Sequence, residues 1–195
     1  MGYSPKKKAL KNKQQAPSPL AGVRSNFRQK LPVILFVFGF ATLMILFYIF
    51  WLSEYCQTNI QPHIVSANAR LSSVILNIFG METTALKENI SSQRFSVNIA
   101  RGCDAMEAMA LFASALLSFP AKWKFKLIGF FSGIALLFSL NILRVVTLFL
   151  TGVYFPKAFE IMHVEVWQVV FIIFALGLWV FWIKLTRKEA RHVAQ

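Results

Sequence analysis

LIGFFSGIALLFSLNILRVVTLFLT, residues 127–151, is long and apolar enough to cross a bilayer as a helix, and Arg144 is its one charge. A spanning helix needs about 20 apolar residues. A charge near the middle of such a run costs about 2.5–3.5 kcal/mol on insertion scales. Arg144 is therefore expected to face a partner or a wet cavity rather than lipid. Asn141, at i−3, shares its helical face.

Three further stretches extend this reading. Leu31–Leu52 carries no charge, and Val164–Ile183 carries only Glu165 near its start. Cys103–Phe119 is shorter, with Asp104 and Glu107 in its first turns, so it spans only if that end lies near the interface or in a protein-lined pocket. The chain is 56% hydrophobic and 15% charged, too apolar for an ordinary soluble domain. The expected fold is an all-α integral membrane protein of four transmembrane helices, about 31–52, 103–119, 127–151 and 164–183, joined by an extracytoplasmic amphipathic helix and a short strand before Cys103. Residues 1–30 read as a mobile basic cytoplasmic tail, 31–184 as one membrane-embedded domain, and 185–195 as a second basic cytoplasmic tail. The long basic lead, and the lack of a small-residue cleavage site after the first apolar run, argue for an uncleaved anchor rather than a signal peptide.

Charge fixes the orientation. Lys6, Lys7, Lys8, Lys11, Lys13, Arg24, Arg28 and Lys30 precede the first span. Lys122, Lys124 and Lys126 lie between the second and third, and Lys184, Arg187, Lys188 and Arg191 follow the fourth. The opposite side holds only Arg70, Lys87, Arg94, Arg101 and Lys157. The positive-inside rule then places both termini in the cytoplasm. The net charge of +13 is accounted for by topology and anionic lipid, with no nucleic-acid partner.

Residues 53–102 form the sizeable extracytoplasmic segment. Within it, His63–Phe79 has helical periodicity, with Ile64, Leu71, Val74, Ile75 and Ile78 opposite Ser66, Asn68, Arg70 and Ser73. It is expected to lie at the interface or over the bundle. Residues 81–93 read as a polar loop. Residues 94–101 alternate like a strand and deliver the chain to Gly102–Cys103.

This topology puts Cys103, Arg144 and His163 in the outer half of one bundle. A free thiol titrates near 8.5, and a helix N-terminus or a nearby cation lowers that value. Cys103 is thus a candidate nucleophile, His163 a candidate proton carrier, and Arg144 a fixed cation for a thiolate or oxyanion. Asn141 is placed to orient the guanidinium or donate to the oxyanion. Asp104 and Glu107 oppose this scheme, since negative charge raises a thiol pKa; alternatively they pair with Arg144 or Arg101. Cys56 offers a second alternative, a structural Cys56–Cys103 disulfide. No cofactor is implied, and His163, Glu160 and Glu165 lack metal-ligand spacing.

Arg101-Gly102-Cys103-Asp104-Ala105, then Asn141-Ile142-Leu143-Arg144-Val145-Val146, then His163 before the last span resembles the exosortase/archaeosortase family, over roughly residues 55–185. The compact exosortase H type is the most similar form, although the cysteine context departs from the commoner Ala-Cys-Ser-Gly. The resemblance implies a membrane-embedded cysteine protease and transpeptidase of the prokaryotic cytoplasmic membrane. Its partners would be exported proteins whose C-terminal tail carries a sorting motif, a transmembrane helix and a basic cluster. Cys103 would form an acyl-thioester, released by water or by an amine or hydroxyl of an envelope acceptor. In the family scheme the arginine donates a proton and the third residue stabilises the transition state; the residues alone favour His163 for proton transfer. A substrate held by its own helix would enter sideways, and the small residues Ala105, Ala108, Ala110, Ala113, Ser114 and Ala115 would let helices approach closely. The rival reading is a non-catalytic assembly factor or complex subunit, held by the disulfide and an Arg144–carboxylate pair.

Overall fold

The computed structural model describes residues 19–99 and 102–192; residues 1–18 and 193–195 of the two expected tails, and Arg101 of the cysteine motif, lie outside them. The described chain is mostly helical. Three helical segments are long and apolar enough to cross a membrane: Lys30–Trp51, Trp123–Tyr154 and Pro156–Lys188. The first belongs to helix α1 (Pro19–Trp51), which starts well inside the basic lead that reads as a tail.

Short helix α2 (Glu54–Asn59) is capped by the Ser53 hydroxyl, which accepts from Cys56 N at 3.3 Å. Helix α3 (Gln61–Ile78) follows, with Pro62 in its first turn, where a missing N–H costs nothing. Its polar and apolar faces do not divide cleanly into outside and inside. The buried face holds Asn68, Ser72 and Ser73 with Val65, Ala69 and Leu76, whereas Leu71, Val74 and Ile78 are exposed. Buried polar groups are mostly bonded; on this face Ser72 Oγ has no partner. Ser73 Oγ and Thr83 Oγ1 lie 2.8 Å apart, and Asn77 Oδ1 accepts from Thr83 N at 2.6 Å.

The segment expected as a polar loop is a hairpin. Strands β1 (Thr84–Leu86), β2 (Asn89–Ser91) and β3 (Ser96–Asn98) form an antiparallel sheet in that order. Lys87, at φ 55°, turns the first pair. Alternation over so few residues is too short to be legible, and only β3 falls within the expected strand. Ile90 and Ile99 pack with Leu76, Val145 and Phe149 in one core cluster, which seats the sheet on α3 and on α5 (Trp123–Tyr154).

Helix α4 (Met106–Ser118) begins three residues later than expected. At 1.5 Å per residue it is about 20 Å long, shorter than the ~30 Å hydrocarbon core. It packs against α5 and α7 (Trp167–His192) through Met109, Phe112 and Leu116. Small residues do allow close approach, but the tightest lie on α5. A Cβ at Gly133 would meet the Phe112 ring, and one at Gly129 would meet Trp182 and Leu116. Of the α4 residues, Ala110, Ser114 and Ala115 are buried. The last helical segment runs through α6 (Phe159–Ile161), a π-helical turn at Met162–Val166 and α7.

Gly133→Leu is expected to destabilise the bundle by about 1–3 kcal/mol through overpacking. Gly177→Leu, on a face with nothing within 4 Å, is expected to be near neutral. Unfolding midpoints in mixed micelles measure the difference.

Candidate active site

Gly102 (φ 83°) and Ala105 (φ 61°) are both left-handed and bracket Cys103 and Asp104 in a tight turn before α4. A non-glycine residue there stores strain, so the turn is imposed by its surroundings. Cys103 thus sits ahead of the helix rather than in its first turn. Asp104, 1% exposed, lies just before α4, and its Oδ1 accepts from Met106 N at 3.2 Å.

The structure brings together the three residues singled out from topology. Cys103 Sγ lies 3.1 Å from His163 Nε2. An Arg144 terminal nitrogen donates to Cys103 Sγ at 3.7 Å and to the His163 carbonyl at 3.5 Å. His163 stands in the π-helical turn, not ahead of the last span; such single turns recur at functional sites because they re-aim one side chain. Its ring stacks on Phe159 at 5.8 Å, and Phe159 meets Phe95 at 5.7 Å. Phe95 in turn lies edge-on to Phe149 of α5 at 5.5 Å. An aromatic chain from α5 therefore positions the imidazole.

Arg144 is 9% exposed, and its guanidinium lies 5.6 Å from the Phe171 ring centroid on α7. A desolvated cation–π contact of this kind contributes about 0.5–2 kcal/mol. Neither carboxylate bonds it. Asp104 Oδ2 makes no hydrogen bond, and Glu107 is exposed. Asn141 turns away as well: its Nδ2 donates to Asn68 Oδ1 at 3.2 Å, both residues being fully buried. This bond ties α3 to α5 instead of orienting the guanidinium. Both cysteines are free, Cys56 buried in α2, so the expected alternative of a disulfide is not formed.

Electrostatics also depart from expectation. Burial holds the Cys103 thiol above its ordinary pKa; the Arg144 charge pulls it down and Asp104 pushes it further up. The Asp104 carboxyl is likewise raised, chiefly by burial, against the Met106 and Asp104 backbone N–H groups, the Gln61 side chain and the Arg144 charge. Cys103 therefore rests as a thiol at neutral pH, its sulfur 3.1 Å from His163 Nε2.

Two cavities meet at Cys103, Arg144 and His163. One of about 400 Å³ runs along β3 and is walled by Phe95, Leu148, Pro156 and Phe159. The other, about 640 Å³, lies between α1, α4 and α7, where Met44, Tyr48, Ala108, Gln168 and Ala175 line it with Glu107 at one side. Arg144 lines both cavities. Sequence reasoning missed the role of Asn68, placed only on the polar face of its helix, and Phe159 and Phe171, which carry no signal among so many phenylalanines.

These features define a helical membrane protein with a thiol, an imidazole and a guanidinium gathered between two cavities. A family model of transmembrane exosortases matches residues 31–183, and the chain belongs to that family. No curated protein and no solved structure matches it.

Alkylation of Cys103 by iodoacetamide in the Cys56→Ala protein is expected to accelerate with a midpoint above that of a free thiol. Removing the lowering charge, Arg144→Gln, moves the midpoint up. Removing the raising charge, Asp104→Asn, moves it down.

Proposed function

We propose that the protein is a membrane-embedded cysteine peptidase and transpeptidase that cleaves the C-terminal sorting tail of exported proteins at the extracytoplasmic face. The observation that carries this reading is the 3.1 Å approach of Cys103 Sγ to His163 Nε2 beside the Arg144 guanidinium. His163 takes the thiol proton as Sγ attacks the scissile carbonyl. Arg144, permanently charged, stabilises first the thiolate and then the tetrahedral oxyanion. Collapse breaks the C–N bond, His163 returns the proton to the leaving amine, and an acyl-thioester remains on Cys103. Water, or an amine or hydroxyl of an envelope acceptor, then gives its proton to His163 as it attacks the acyl carbon; the C–S bond breaks, and His163 passes the proton to Cys103 Sγ, restoring the thiol. His163 is favoured over Arg144 for proton transfer by the shorter distance and by the guanidinium's high pKa.

The four-span topology with both termini inside belongs to the same proposal. Helix α4 is short, but its faces meet α5 and α7 rather than lipid alone. Lys122, Lys124 and Lys126 in and beside the α4–α5 connection favour the cytoplasmic side there. The larger cavity, bounded by α1, α4 and α7, suits sideways entry of a substrate's own transmembrane helix.

With a co-expressed tail-bearing reporter, Cys103→Ala is expected to abolish processing and Cys56→Ala to leave it intact. Processing that survives Cys103→Ala sinks the mechanism. Ala108→Leu, which narrows the larger cavity, is expected to lower processing by about tenfold or more, the scale on which misplacement of a substrate acts. Alkylation of Cys103 by a small reagent should persist in that variant.

A further inference from the structure

The smaller cavity borders a feature that the reaction scheme leaves unused, the open edge of the sheet. The strand order is β1-β2-β3, so β3 has one paired and one unpaired side. Its register with β2 sets Asn98 opposite Asn89, Val97 opposite Ile90 and Ser96 opposite Ser91. Ile99 N donates to Glu88 O at 2.9 Å, and Ser92 N donates to Phe95 O at 2.9 Å. Backbone groups alternate sides along an antiparallel strand. Phe95, Val97 and Ile99 therefore spend their backbone groups on the β2 side, and Ser96 and Asn98 turn theirs to the open side. Both residues are exposed.

That edge is not open to bulk solvent along its whole length. The cavity of about 400 Å³ is lined by Ser96, Val97 and Asn98, and also by Cys103, Arg144 and His163. A chain lying along the edge thus reaches the thiol without leaving the cavity. A three-residue strand is about 10 Å long, enough to pair a short extended segment. The opposite wall is apolar, from Leu148, Pro156 and Phe159, and would receive alternate side chains of that segment.

We infer that the substrate's recognition segment binds as an added strand on the open edge of β3, with main-chain hydrogen bonds to Ser96 and Asn98 presenting its scissile carbonyl to Cys103. This deepens the peptidase reading and rests on it. Strand addition draws affinity from the main chain and selectivity from pockets for alternate side chains. The substrate's transmembrane helix then lies on the other side of the thiol, in the larger cavity. The two cavities divide the substrate at the bond to be cut.

Proline removes an N–H yet is tolerated on an edge strand where that N–H faces outward. Ser96→Pro and Asn98→Pro in the full-length protein are expected to reduce processing of the tail-bearing reporter about fivefold or more each, the worth of one hydrogen bond. Cys103 alkylation should remain. Ser96→Ala and Asn98→Ala, which keep the N–H, are expected to lose far less processing than the proline variants. Normal processing by both proline variants overturns the proposal, and so does an equal loss in the alanine variants, which would mean that side chains are read. A second measurement does not depend on how proline is tolerated. In the Cys56→Ala/Cys103→Ala background, a cysteine at position 96 is expected to cross-link to single cysteines at every second position of the reporter's recognition segment. Helical spacing of the cross-links, no cross-links, or cross-links only between two copies of the enzyme overturns it. Failure of the peptidase reading itself shows separately, as processing that persists in Cys103→Ala.

Discussion

A guanidinium in an apolar helix cannot shed its charge, so the surroundings of Arg144 must supply what water would have supplied. They do so with unusually few groups. A sulfur, a backbone carbonyl and a phenyl face surround it, and its Nε makes no hydrogen bond. The elements that supply them come from different parts of the chain. The Gly102–Ala105 turn brings the sulfur, the π-helical turn brings the carbonyl, and α7 brings the ring. Satisfying Arg144 is thus the same act as assembling the site. The missing carboxylate matters too. A bonded Asp104 or Glu107 would neutralise the cation and leave less field for charge developing on sulfur or on an oxyanion.

Burial gives Arg144 its strength, and it also raises the pKa of the thiol beside it. The two effects act together. A half-buried thiol with a raised pKa stays protonated, and reactivity follows the thiolate fraction. In the proposed reaction, proton transfer to His163 would create charge only where the guanidinium can receive it. In such a site a base in contact with sulfur matters more than a preformed thiolate. The aromatic chain from Phe149 through Phe95 and Phe159 to His163 serves this contact by holding the ring against a helix that would otherwise aim it elsewhere.

The residues of the site were legible in the sequence because membrane crossing is a strong constraint. Hydropathy fixes where a chain turns, and turning fixes which polar residues share a side. That logic placed Cys103, Arg144 and His163 together. It gave less for α3, where periodicity shows which residues share a face but not which face the bundle buries. Leu71 and Val74 are exposed, and Asn68 and Ser73 face in, where their hydrogen bonds are made. That is why the partner of Asn141 was not legible. The hairpin was missed for another reason. Three-residue strands carry too few residues for alternation to rise above composition, and their stability comes from Ile90 and Ile99 packing on α3 and α5 rather than from propensity.

A sheet so small calls for its own explanation beside a helical bundle. Exposed strand edges are a liability, prone to pair with other chains, and a bundle of this kind has no structural need of one. An edge that stops after three residues is too short to sustain self-association. It still offers two outward-facing residues, Ser96 and Asn98, next to a cavity that ends at a thiol. A helix has no such free backbone groups along its length, because they are spent internally. If a bundle is to hold an extended peptide by its main chain at the membrane surface, an edge strand is the element that can do so. The position of β3, shortly before the Cys103 turn in the chain, couples that edge to Cys103 through very few intervening residues.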